Sequence, residues 1–370
     1  MKRVKRRDRA RLLTVASKRT RHNLDSRRKA ARLRREKQRA IEQASPRRQV
    51  VPDSWVRLAA PRVFGLARAS SRTPLTKFLG EVRKYAWTRK RNVIIDFSAT
   101  ERMHPCGTLL FVAEIERIRR ARDGDNSCFR CTYPRDPIVE QVLQQVGILD
   151  LLRGRSRQNE STFAPNVRHW KYATGLEVDG AKFESFRKAF EGKIAAALLT
   201  DFYAGITEAM TNSIHHAYEA ERGDGIDLSS DIKRWWMFSQ QKDNTLSVAF
   251  CDTGIGIPRS LLTSGHWSES VLGGVLKKLG FVGEVEGELV RSAIELHKSR
   301  TGSEHRGRGL GEILDVVRRG QRGSFTIHSN RGFYRYDPAK KTELILDFDD
   351  SIMGTLILWN VPLELVGEQK

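Results

Sequence analysis

Residues 208–218 read EAMTNSIHHAY. On a helix of 3.6 residues per turn, Glu208, Asn212 and His216 fall four apart and line one face, while Ile206, Met210, Ile214 and Ala217 mark the side that packs. A carboxylate, a carboxamide and an imidazole at one-turn intervals make either a solvated face or a place where something polar is held. The remainder of the chain decides between the two.

The chain has 370 residues, 39% hydrophobic and 30% charged, enough for two ordinary domains with cores of their own. No run approaches the ~18 apolar residues of a membrane span, and the first residues lack the charged-then-apolar order of a secretory signal. Four cysteines, with Cys128 and Cys131 the one close pair, make no disulfide framework and point to a reducing, cytoplasmic setting. Their C-x-x-C spacing has no second pair to complete a zinc site, and His297, His305 and His328 are scattered.

The net charge of +22 is unevenly placed. Residues 1–50 carry 20 Lys and Arg against 4 Asp and Glu, so +16 of the total, which leaves +6 for the other 320 residues. This segment has no sustained helical stripe and is expected to be a disordered tail. It has the charge to meet nucleic-acid phosphates or an acidic partner nonspecifically, and no aromatic residue for base stacking.

Beyond Pro46 and Pro52 the composition changes. WVRLAAPRVFGLA reads as a pair of strands broken at Pro61, PLTKFLGEVRKYAWTR as an amphipathic helix, NVIIDFS and CFRCTYP as strands, and GTLLFVAEIERIRRA and PIVEQVLQQVGILDLL as helices. Alternating strands and helices predict an α/β layer structure over residues 55–152. RGRSRQNESTFAPN reads as a polar linker, with the linker as a whole at 153–174. A second unit, 175–365, opens with two helices, FESFRKAFEGKIAAALL and FYAGITEAMTNSIHHAY. A hairpin turning at Asp243-Asn244 follows, then a long Gly-rich insertion, the helix GEILDVVRRG and four further strands. The pattern predicts a two-domain α/β protein whose second domain packs helices on one face of a mixed, mainly antiparallel sheet.

Three further stretches carry chemistry. CDTGIGIP follows a strand, so Asp252 is placed to accept a hydrogen bond from an exocyclic amine while Gly254 and Gly256 let a flat ring approach the backbone; the same letters also suit a plain turn. SRTGSEHRGRGLG places Gly302, Gly307, Gly309 and Gly311 before a helix, where their N–H groups suit an anion nest, with Arg306 and Arg308 adding positive charge. MGTLILW sets Gly354 and Thr355 at the start of a terminal strand, where the hydroxyl either meets a ligand or caps the strand.

Taken in order, EAMTNSIHHAY, DTGIGIP, GRGLG and GTL closely resemble the four signature boxes of the GHKL ATP-binding superfamily, the group of gyrase, the large heat-shock chaperone, histidine kinases and MutL. The resemblance covers about residues 175–362. It implies that Asn212 coordinates a Mg²⁺ ion bridging the phosphates of ATP and that Asp252 receives the adenine amine. It implies that Gly254 and Gly256 flank the nucleotide, that Thr355 supports the adenine contact, and that Arg306, Gly307, Arg308, Gly309 and Gly311 lie on the phosphate side of a lid spanning about 257–306. Glu208 is then the base that takes a proton from the nucleophile attacking the γ-phosphate.

Residues 92–118, NVIIDFSATERMHPCGTLLFVAEIERI, resemble the core of a STAS domain, the fold of the anti-sigma-factor antagonists. Where that family places a phosphorylatable serine before a helix-opening glycine, this chain has Cys106 before Gly107. The two resemblances imply a Mg²⁺- and ATP-binding regulatory protein, in which binding and slow hydrolysis switch the lid and its meeting with a regulatory partner. They leave open a serine protein kinase of the anti-sigma type acting on a STAS partner, a nucleic-acid-binding scaffold with a vestigial ATP site, and a homodimer. No membrane contact is expected.

Overall fold

The computed structural model describes residues 55–178, 196–263, 286–299 and 323–363, apart from 123, 125, 126, 169, 230, 231 and 243, together with 314, 317 and 318. The basic segment 1–50, most of the helix read at 183–199 and most of that read at 311–320 lie outside these residues.

Short, β-branched runs make the first sheet. Val56–Ala59 (β1), Val93–Asp96 (β3) and Phe129–Thr132 (β5) lie parallel in the order β1-β3-β5. Parallel neighbours cannot be joined by a tight turn, so a helix intervenes each time. Ala69–Val82 (α1), continued by a π-helical turn at Arg83–Thr88, joins β1 to β3, and Pro105–Ala121 (α2) joins β3 to β5. Val63–Phe64 (β2) and Arg102–Met103 (β4) form a separate parallel pair. Pro137–Gln145 (α3) starts where Asp136 accepts the Ile138 N–H at 2.7 Å, with proline at the first helical position. Gly147, at φ 80°, separates it from Ile148–Leu151 (α4), and Pro165–Arg168 (α5) follows.

The second sheet has seven strands: Lys171–Gly175 (β6), Trp235–Lys242 (β7), Thr245–Asp252 (β8), Ser324–Ser329 (β9), Gly332–Asp337 (β10), Thr342–Asp347 (β11) and Thr355–Pro362 (β12). Their order is β11-β10-β9-β12-β8-β7-β6, and every neighbouring pair is antiparallel. Lys242 pairs with Thr245, so the β7–β8 turn is two residues long, and Asn244 sits at φ 55° as such turns require. Asp243 lies outside the described residues.

Helices were expected on one face of this sheet, yet both faces are covered. The reason is legible in β7, where Trp235, Trp236, Met237 and Phe238 run consecutively and are all buried; a strand wet on one face would alternate. Trp235 and Met237 join Val248, Phe250, Ile327 and Trp359 beneath Ala196–Asn212 (α6) and Glu286–Ser299 (α8). Trp236 and Phe238, with Ala249, Cys251 and Leu356, enter the core of the first sheet.

Helix α2 is what joins them. Its residues Cys106–Ile118 are buried without a break, Glu114, Glu116 and Arg117 among them, because it is packed from both sides. Phe111 packs against Phe64 and Phe97 of the first lobe at ring separations of 5.4 and 5.9 Å. Glu116, on the same helix, accepts from Trp236 Nε1 at 3.1 Å and from the Tyr172 hydroxyl at 2.6 Å.

Charge is buried along the same seam. Arg222 Nη2 donates to Glu114 at 2.8 Å, Arg83 lies 3.2 Å from the same carboxylate, and Arg117 pairs with Asp224. Burial pushes the Glu114 pKa up, but Arg222, Arg83 and Arg117 outweigh it and hold the group down at about 2.

Two expectations of organisation meet a different local structure. The segment read as a linker, 153–174, buries Phe163, Val167 and Trp170 in the α2 core, and Arg157 makes a two-pronged pair with Glu140 at 2.9 and 2.6 Å. Thr200-Asp201, where two helices were divided, lies inside the continuous helix α6. Among the described residues no helix is long and apolar enough to cross a membrane.

Candidate functional site

Asp252 is the last residue of β8, and strand alternation turns its side chain to the α6 face beside Phe250 and Val248. The register sets it across from Thr355, and Thr355 across from Ser329. The three form a polar row over adjacent strands where the apolar face ends, with Ser329 Oγ 3.1 Å from Thr355 Oγ1. Asp252 is only 6% exposed, and its Oδ1 accepts the Gly254 N–H at 2.9 Å. Burial raises its pKa to about 6, while the N–H groups of Gly254 and Thr355 and the charge of Arg222 pull it back. A carboxylate kept in such a place destabilises the fold, and groups perturbed in this way concentrate at functional sites.

The floor beside Asp252 is built from glycines for reasons of space. A Cβ on Gly254 would overlap the Ala217 carbonyl, and Gly256, at φ 79°, would drive one into the Asn330 side chain. Asn330 clamps two loops at once: its Nδ2 donates to the Ile255 carbonyl at 2.8 Å and its Oδ1 accepts the Gly354 N–H at 3.2 Å.

Helix α6 is pinned to this floor by its C-terminal end. After Asn212 it widens into a π-helical turn, Ser213–Ala217, a departure from α geometry that recurs at functional sites. The Ala217 carbonyl at its end accepts the Ile255 N–H at 2.8 Å. Tyr218 donates its hydroxyl hydrogen to the Arg234 carbonyl and accepts the Thr253 N–H at 3.2 Å. One turn back, Asn212 Nδ2 donates to Glu208 Oε1 at 3.0 Å, both side chains being half-buried. His216 meets Glu219 at 3.1 Å, and His215 is exposed.

The structure therefore brings Asp252, Gly254, Gly256 and Thr355 together and fixes to them the end of the helix that carries Glu208 and Asn212. Arg306, Gly307, Arg308, Gly309 and Gly311 lie outside the described residues, as do 264–285 and 300–306 of the expected lid; Ile257–Thr263 (α7) and α8 are its described parts. Tyr218, Asn330 and Ser329 were not singled out from the sequence. Tyr218 closes the quoted stretch, and Asn330 stands in the two-residue turn Asn330-Arg331 between β9 and β10, at φ 51°.

In the first lobe, Cys106 sits at the start of α2 and is 8% exposed, and burial pushes its thiol up to about 11, so it is a neutral thiol near pH 7. None of the four cysteines is in a disulfide. Among the described residues no three His, Cys, Asp or Glu side chains gather as a metal-holding group. No family model and no curated protein matches the chain.

Proposed function

We propose that the chain binds an adenine nucleotide against the end of the seven-stranded sheet and transfers its γ-phosphoryl group slowly, acting as an ATP-driven switch. The observation that carries this reading is Asp252, a carboxylate held buried at a strand end with its pKa raised and Thr355 directly across from it. The resemblance of EAMTNSIHHAY, DTGIGIP, GRGLG and GTL to the GHKL boxes supports the same reading.

On it, Asp252 accepts the hydrogen bond of the adenine amine and Thr355, directly across the strand pair, stands beside that contact. Asn212 Oδ1, on the other side of the carboxamide from its bond to Glu208, is a hard oxygen donor of the kind Mg²⁺ takes. When bound, such an ion would draw negative charge off the phosphates. Glu208 takes the proton of the attacking water as the bond from the γ-phosphorus to its bridging oxygen breaks, releasing ADP and phosphate.

Incubation with γ-labelled ATP tests the reading. Glu208→Gln keeps an oxygen to accept from Asn212, so affinity should stay within a few fold while turnover falls ~100-fold, the usual weight of a general base. Asn212→Ala should lose both. Label on free phosphate marks hydrolysis, label on a protein serine marks the kinase alternative, and wild-type protein that binds no ATP in the presence of Mg²⁺ removes the proposal.

A further inference from the structure

Helix α1 belongs to the first lobe, yet one of its side chains ends inside the second. Arg72 is fully buried. Its Nη2 donates to the Asn330 carbonyl at 2.7 Å and to the Asp350 carbonyl at 3.0 Å, and its Nε reaches the latter again at 3.2 Å. Nη1 lies 3.0 Å from His328 Nδ1. Arginine has only donors, so Nδ1 must be the accepting nitrogen and His328 is neutral with its hydrogen on Nε2. Burial and the neighbouring guanidinium both hold His328 well below its usual pKa, in keeping with that tautomer. The guanidinium also lies 4.3 Å above the Phe348 ring.

An arginine fully out of water is expensive, and here its donors are spent on backbone carbonyls rather than on a carboxylate. What those carbonyls belong to gives the feature its meaning. Asn330 is the residue whose side chain ties Ile255 to Gly354, and its own N–H donates to the Gly354 carbonyl at 3.0 Å. Asp350 opens the segment that runs through Ile352, whose N–H also donates to the Asn330 carbonyl at 3.0 Å, to Gly354 and Thr355. The guanidinium thus holds the 350–355 segment through Asp350 and Asn330, and reaches the 253–256 loop through the Asn330 side chain.

We propose that Arg72 is a positioning residue through which the first lobe sets the base-recognising end of the site, fixing Asn330 and so the loops 253–256 and 352–355 around Asp252. The proposal deepens the nucleotide reading and rests on it for the base-recognition half; the loop-positioning half stands without it. Lysine cannot replace Arg72, because a single ammonium has no planar fork to serve two carbonyls and an imidazole together.

Two measurements on the full chain test it. The first compares binding of ATP with that of inosine triphosphate, which lacks the exocyclic amine. Wild type should prefer ATP by about tenfold or more, as sites built to hydrogen-bond a group do. Arg72→Met and Arg72→Lys should each reduce that preference to about twofold, mainly by weakening ATP. The second is amide hydrogen exchange without nucleotide. In Arg72→Met the amides of Gly254, Ile255, Gly256, Gly354 and Thr355 should exchange about tenfold faster or more, while those of 206–212 in α6 stay unchanged.

A uniform rise over both sets would make Arg72 a plain packing residue and overturn the inference, as would wild-type exchange and wild-type base preference in the variants. Wild-type protein that binds neither nucleotide overturns the proposed function and the base-recognition half with it, and the exchange pattern alone then decides the loop half. Should the Arg72 variants fail to fold, His328→Leu carries the test: it takes one acceptor from the guanidinium and leaves the Asn330 side chain intact, so the same loop amides should exchange faster than in wild type, and wild-type exchange there would overturn the inference.

Discussion

Two buried carboxylates stand on opposite faces of the seven-stranded sheet, and the protein treats them in opposite ways. Glu114, on the α2 side, is surrounded by Arg222, Arg83 and Arg117 and is held down at about 2. Asp252, on the α6 side, receives backbone N–H groups and is pushed up to about 6. A charge met by several opposite charges serves the fold. A carboxylate buried mainly against backbone N–H groups costs stability and, on the proposed reading, keeps a place for a ligand's donor.

The largest effect is expected where the pairing is fullest. Glu114→Ala takes the carboxylate partner from buried Arg222 and half-buried Arg83 and should lose about 3–5 kcal/mol in denaturant unfolding. The contribution of Glu114 is complete above the ordinary carboxylate value of 4.5 and is lost as the pH falls through about 2. A loss under about 1 kcal/mol would mean that the seam is held by its apolar contacts alone.

Asp252→Asn should run the other way. The folded state raises this pKa from 3.8 to about 6, so the stability it allows is complete below 3.8 and is lost as the pH rises through 6. Removing the charge should therefore stabilise the protein at pH 8 by up to about 3 kcal/mol, with the gain gone below pH 4. ATP affinity should fall in the same variant, and in wild type it should weaken as the pH drops through 6. A variant less stable than wild type at pH 8 would place Asp252 with Glu114, as a structural acid.

Smaller again is Tyr218→Phe, which leaves the Arg234 carbonyl and the Thr253 N–H without the hydroxyl. A cost of about 1–2 kcal/mol is expected, with faster amide exchange at Thr253. Least of all on stability is Glu208→Gln, which should stay within about 0.5 kcal/mol, because the half-buried side chain keeps its bond to Asn212. Thermal unfolding of the four variants side by side checks the ranking.

Much of the architecture was legible because strand and helix periods are local properties. The runs NVIIDFS, CFRCTYP and LSVAF became β3, β5 and the body of β8, and the four-residue spacing of Glu208 and Asn212 became a direct hydrogen bond. Register is not local. Nothing in DTGIGIP or GTL says that Asp252 and Thr355 face each other across a strand pair, or that Ser329 completes the row. The π-helical turn after Asn212 was hidden for the same reason, since it answers the demand that Ala217 and Tyr218 reach the 253–255 loop. Arg72 was the least legible of all. In SSRTPL it looks like one more surface cation, and only the packing of α1 against the β9–β10 turn turns it inward.

Helix α2 has a practical consequence for dissecting this chain. It belongs to both cores, so cutting between residues 153 and 170 would not release two self-sufficient pieces. A fragment begun at Lys171 would present Trp236, Phe238, Ala249 and Leu356 to water on one broad side, the kind of surface that drives aggregation. Its complement would expose the outer flank of α2, with Glu114 and Arg117 stripped of Arg222 and Asp224. Made alone, each half should precipitate; made together in one cell as separate polypeptides, they should find one another across that face and recover as a soluble pair.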